Sequence, residues 1–108
     1  MSPRPGEVWL ADLGMAAKTR PVVVVSRRDE DPPRVLALYV PLTSENRGSE
    51  YEVEVPKLPF LRSEGVANVQ GIGSLPIKRQ ERRLGALSPQ VMDRIKKALR
   101  FLLDLEGL

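Results

Sequence analysis

Arg20 stands immediately before the valine-rich segment Pro21 to Ser26, and Thr43-Ser44 close an apolar segment that begins at Arg34. If these segments are neighbouring antiparallel strands, the start of one lies beside the end of the other, and Arg20 shares a rim with Thr43. A planar guanidinium beside a hydroxyl is suited to gripping a phosphodiester. On spacing alone the blander reading is the better supported: strand ends often carry an exposed Arg and a turn Thr that satisfies nearby backbone. Ser26, which ends the valine segment, and Gln70, which ends a later one, are expected at the same rim. Neutral polar residues in such places usually just satisfy the last hydrogen bonds of a ladder. Arg27 and Arg28, with Lys78, Arg79, Arg82 and Arg83, form basic runs that either track a phosphate backbone or solvate a turn.

Two absences narrow the chemistry further. The 108 residues include no Cys and no His. Thiol nucleophiles, structural disulfides, Cys/His zinc sites and the Ser-His-Asp triad are thereby excluded. Chemistry must come from Arg, Lys, Asp, Glu, Ser, Thr or Tyr. Without a close carboxylate constellation in the sequence, no metal and no cofactor is expected. Gly71-Ile72-Gly73 is not a phosphate loop, because no Lys-Ser/Thr pair follows it and no helix begins there. Seventeen Lys and Arg against 14 Asp and Glu give a formal charge of +3, a mild bias toward polyanionic partners. The longest apolar run, Val35 to Val40, falls far short of the roughly 18 residues of a membrane-spanning helix. No leader-like apolar stretch follows Arg4, so a cytoplasmic location is expected.

The elements that must position these residues are mostly strands. Ten Pro and eight Gly chop the chain before residue 90 into short segments, apart from Gly107. The pattern predicts a first strand over Glu7 to Leu13. The four consecutive valines of Pro21 to Ser26 predict a central strand covered on both faces, because β-branched residues run on without alternation. A third strand is expected over Arg34 to Thr43, with Pro41 requiring an edge, bulge or fray because it has no N–H to donate. Glu50, Glu52 and Glu54 alternate with Tyr51, Val53 and Val55, the period of a strand with one wet face. After a Pro-broken loop over Pro56 to Gly65, short strands are expected at Val66 to Gln70, Ile72 to Pro76 and Arg82 to Leu87. Trp9, Tyr39 and Phe60 are expected in the core rather than as stacking platforms. The period then changes. Ser88 can cap and Pro89 can open a helix whose Val91, Ile95, Leu99 and Leu102 recur on one face. One domain over residues 1–108 is expected: mainly β, a small bent sheet or partly open barrel covered by a C-terminal helix.

Taken together, Gly6-Glu7-Val8-Trp9 with Asp12-Leu13, Arg20-Pro21-Val22-Val23-Val24-Val25-Ser26, Val40-Pro41-Leu42-Thr43-Ser44, and Arg83-Leu84-Gly85-Ala86-Leu87-Ser88 before a helix resemble the MazF/PemK endoribonuclease toxins. The resemblance implies an SH3-like, MazF/CcdB-type β-barrel with a C-terminal helix, forming a homodimer. It further implies metal-independent cleavage of single-stranded RNA and neutralisation by a cognate antitoxin. The family's active-site Arg and Thr fall on Arg20 and Thr43, and its helper Ser and Gln on Ser26 and Gln70; Ser44, Arg27, Arg28 and Arg82 are the further candidates for holding substrate. Two departures stand out: only Met15 to Thr19 separate Gly14 from Arg20, where many members carry a longer loop, and Val69 occupies a position where the family often has Asp. Two other outcomes stay open, an inactive nucleic-acid-binding barrel and a gyrase-inhibiting toxin of the same fold.

Overall fold

The computed structural model describes residues 2–14 and 19–105. The short connection expected between the first strand and Arg20 therefore lies largely outside the described residues, as does Gly107. Seven strands, β1 (Glu7–Asp12), β2 (Thr19–Val24), β3 (Leu36–Thr43), β4 (Glu52–Val55), β5 (Gly65–Asn68), β6 (Gly73–Pro76) and β7 (Gln80–Ala86), precede one helix, α1 (Pro89–Leu102). All pairings are antiparallel, in the order β4-β5-β3-β2-β1-β7, with β6 also pairing β3. Among the described residues no pairing joins β4 to β7, so the sheet is bent but not closed, the partly open barrel expected of the sequence.

β2 is central and buried on both sides. Val23 joins the core beneath α1 with Val8, Val40 and Ile95, whereas Val22 and Val24 join a second cluster with Trp9, Ala11 and Leu75 on the other face. Fully burying one such side chain stabilises the fold by about 1.5–3 kcal/mol. A polar residue on either face of the run would be buried at a cost unless it found a hydrogen-bond partner.

Pro41 sits where β3 changes partners, since residues 36–39 pair with β6 and residues 42–43 with β5. Leu38 directs both its N–H and its carbonyl toward the β2 side, to Ser26 Oγ and Val25 N. Alternation along the strand therefore aims the position of Pro41's missing N–H the other way, into the gap between β5 and β6. Gly71 fills that gap so closely that a Cβ there would stand 2.7 Å from the Pro41 ring.

The segment expected as a strand over Val66 to Gln70 ends early. Asn68 Oδ1 accepts from Gln70 N at 3.1 Å and the chain turns through a 3₁₀ turn, Val69–Gly71. Strand β2 likewise begins at Thr19, so Arg20 lies within it rather than before it. Helix α1 starts as the sequence requires: Ser88 Oγ accepts from Val91 N at 3.2 Å, and Pro89 fills the first turn. Val91, Met92, Ile95 and Ala98 are buried, and α1 packs against β4 and the 3₁₀ turn. Trp9 is buried as expected, whereas Tyr39 and Phe60 are only half-buried. No described helix is long and apolar enough to cross a membrane.

Candidate active-site groove

β2 and β3 are neighbours in register, with Val24 opposite Tyr39, Val23 opposite Val40 and Val22 opposite Pro41. Continuing that register two residues past the last ladder pair brings Arg20 opposite Thr43. Both line one open groove of about 470 Å³, with Ser44 from the loop that follows and Arg82 from β7. Arg82 reaches the groove because β1 bridges the two strands: Leu10 pairs with Pro21 on one side and with Arg82 on the other.

Arg20 is exposed and, among the described residues, makes no salt bridge. Thr43 is half-buried, and its Oγ1 accepts from Glu45 N at 3.3 Å. That is the turn hydrogen bond the blander reading expects of it. It uses a lone pair and leaves the hydroxyl proton available, since a Thr hydroxyl carries one donor and two acceptor sites. The groove thus combines three guanidinium groups that make no salt bridge among the described residues, Arg20, Arg62 and Arg82, with an oriented hydroxyl. Guanidinium groups beside a hydroxyl donor are chemically able to hold an oxyanion.

Four other candidates lie elsewhere. Ser26 follows the far end of β2, six residues from Arg20. Extended chain covers about 20 Å in that distance. Its Oγ accepts from Leu38 N at 3.0 Å, extending the ladder. Arg27 and Arg28 continue away from the groove on that side, and Arg28 pairs with Glu30. Gln70 is exposed on the 3₁₀ turn and does not line the groove. The later basic run also divides. Arg83, adjacent to Arg82 on β7, turns to the opposite side, where its Nε donates to Glu7 Oε2 at 2.9 Å. Glu7 also accepts from Trp9 Nε1 and from Arg4 N. Burial raises its pKa, but these three donors and the Arg83 charge outweigh that effect and hold the carboxyl below its usual range.

One wall of the groove had no counterpart in the reading of the sequence. The loop over residues 56–64, expected only as a connection, lines it with Phe60, Leu61, Arg62, Ser63 and Glu64. The half-buried Phe60 ring lies so close to Gly85 of β7 that an added Cβ would stand 2.3 Å from it. The signal available beforehand was the loop's composition, an aromatic followed by Arg, Ser and Glu. Nothing local said that the aromatic docks on β7. Among the described residues, no cluster of three or more carboxylates gathers at a point suited to a metal.

The fold is a small, partly open antiparallel barrel backed by a C-terminal helix, with a cationic groove across the ends of its central strands. The chain belongs to the family of PemK-like, MazF-like toxins of type II toxin-antitoxin systems, whose model matches residues 4–103. It is similar to an endoribonuclease from a mycobacterial species solved in complex with its cognate antitoxin, at 26% identity and a TM-score of 0.84 over 98% of this chain and 99% of that one. It is also similar to MazF from Deinococcus radiodurans, at 26% identity and a TM-score of 0.78 over 96% and 98%. A MazE-MazF complex from the same organism, at 22% identity and a TM-score of 0.81 over 98% and 100%, shares the fold.

Proposed function

We propose that this chain is a metal-independent endoribonuclease toxin that cleaves single-stranded RNA at the groove between β2 and β3. The observation that carries the reading is the register that brings Arg20 opposite Thr43. In this reaction the ribose 2′-oxygen attacks the adjacent phosphorus and the P–O5′ bond breaks, leaving a 2′,3′-cyclic phosphate and a 5′-hydroxyl end. DNA lacks the nucleophile and is not a substrate. Arg20 stabilises the charge that grows on the phosphorane oxygens, the role in which a preorganised cation contributes most. Thr43 donates to a non-bridging oxygen, and Ser44 and Arg82 hold the flanking backbone.

Two partners follow, the first from the same groove. An antitoxin presenting an extended acidic segment would compete with RNA for Arg20 and Arg82, and the mycobacterial relative was solved with its antitoxin bound. A second copy of the chain is the other. Val35, Leu36 and Leu38 are exposed apolar residues, and the last two continue the face on which Val40 is buried, an apolar surface suited to a two-fold dimer.

The test is to incubate the purified protein with a long RNA and map new 5′ ends, with and without EDTA. Cuts bearing 5′-hydroxyl and 2′,3′-cyclic phosphate ends, unchanged by the chelator, are expected. RNA left intact but bound in a salt-dependent manner would instead identify an inactive RNA-binding barrel.

A further inference from the structure

Arginine and threonine leave the reaction one group short. An arginine side chain stays protonated in proteins and does not take up a proton. The 2′-hydroxyl must lose its proton as the O2′–P bond forms. We propose that Glu64 is the proton acceptor; this rests on the endoribonuclease reading.

Glu64 is the one carboxylate among the described residues that line the groove, in company with Arg20, Arg62 and Arg82. Its placement is set by the two strands beside it. Gly65 opens β5 opposite Val55, and the next residue, Val66, pairs with Thr43 itself. The Gly65 backbone presses so closely on the Thr43 carbonyl that a Cβ would stand 2.5 Å from the oxygen. The residue immediately before this contact is thereby held beside Thr43 rather than on a free loop tip.

The carboxylate is also unspent. Glu64 is exposed and, among the described residues, makes no salt bridge. Glu7, Glu30, Glu45 and Glu52, by contrast, are engaged with arginines or backbone N–H groups away from the groove. The charged groups around Glu64 are Arg20 from β2, Arg82 from β7, Arg62 from its own loop and, in the adjoining hollow, Glu54 from β4 and Arg94 from α1.

The step balances with Glu64 and water. The Glu64 carboxylate takes the 2′-hydroxyl proton as O2′ bonds to phosphorus. The P–O5′ bond breaks, O5′ leaves with the electron pair and takes a proton from water, and Glu64 returns its proton to solvent. No oxidant, reductant or metal is required.

Glu64→Gln in the full chain tests the assignment, because the amide keeps the shape and removes the acceptor. Turnover should fall by roughly 10²- to 10⁴-fold, the usual contribution of a positioned acid or base. KM should stay unchanged or fall, because a negative charge has left a phosphate site, and the melting temperature should match the wild type because the residue is exposed. The wild-type rate should rise with pH on the acid side, and Glu64→Gln should lose that rise. Added formate should restore part of the rate to Glu64→Ala. If Glu64→Gln cuts within about threefold of wild type with the same pH profile, or alters KM alone, Glu64 is not the acceptor. Should Arg20→Ala be inactive in the same assay, that failure leaves the endoribonuclease reading standing. Wild-type protein that leaves RNA uncut overturns both.

Discussion

The two ends of β2 are built from similar residue types and put to opposite use. At the far end, Ser26 Oγ accepts from the Leu38 N–H and Arg28 pairs with Glu30, so the Ser26 oxygen and the Arg28 guanidinium are both engaged within the fold. At the near end the ladder stops at the Val22–Pro41 pair, and Arg20 and Thr43 continue past it into an open groove. Arg20 makes no described salt bridge, and the Thr43 hydroxyl keeps its proton to give. A polar side chain at a strand end is therefore informative only once its internal partners are known. What remains unsatisfied is available to a ligand.

Breaking the near end should cost activity and not stability. In the proposed reaction Arg20→Ala removes a cation aimed at transition-state charge, and kcat for RNA cleavage should drop by on the order of 10²-fold or more, the scale of losing one such donor. Its melting temperature should stay near wild type, and calorimetry on the same preparation checks this. Thr43→Ala removes one neutral hydrogen bond, worth about 1 kcal/mol, so single-turnover cleavage should slow by roughly fivefold. The far end should behave the other way. Ser26→Ala leaves the Leu38 N–H without its partner and should cost about 1 kcal/mol in chemical denaturation, with a smaller effect on cleavage than Thr43→Ala.

The smallest effect concerns the cluster on the opposite face from Arg82. Glu7 has its carboxyl held below the usual range in the folded chain, so its contribution is present above that range and is lost as pH falls through the lowered value. Glu7→Gln should therefore cost up to about 1 kcal/mol at neutral pH and nothing in acid. Melting temperatures of the two proteins, followed from neutral to acid pH, should converge. Constant separation across the series would mean that packing rather than charge accounts for the loss.

Much of the fold is legible in the sequence, for identifiable reasons. The valines of β2 announce burial on both faces because no polar residue interrupts them, and both core clusters draw on that strand. Ser88 and Pro89 are a local signal with a local consequence, the first turn of α1. Pro41 marks an interruption in pairing, and the structure puts the exchange of β6 for β5 there. The pairing of Arg20 with Thr43 needs only adjacency of two strands.

Strand length, by the same logic, separates Ser26 from Arg20. Residues at the beginning and end of one strand cannot share a rim, whichever way they point. Gln70 lies off the groove for a different reason: the Asn68 side chain captures the Gln70 N–H and turns the chain, a competition that hydrophobic alternation does not register. The wall made by residues 56–64 is illegible in the sequence because it depends on Phe60 meeting Gly85, two positions far apart in the chain with no pattern linking them.

The central claim is that Arg20 and Thr43 act together on one phosphate. A double-mutant cycle on single-turnover RNA cleavage tests it most directly, using wild type, Arg20→Ala, Thr43→Ala and the double variant. Coupling is expected: once Arg20 is gone, losing Thr43 should matter less, with an interaction energy of at least about 0.5 kcal/mol, the range found for residues that share a partner. Rate losses that simply multiply, or a folded Arg20→Ala variant that cuts RNA at the wild-type rate, would contradict it.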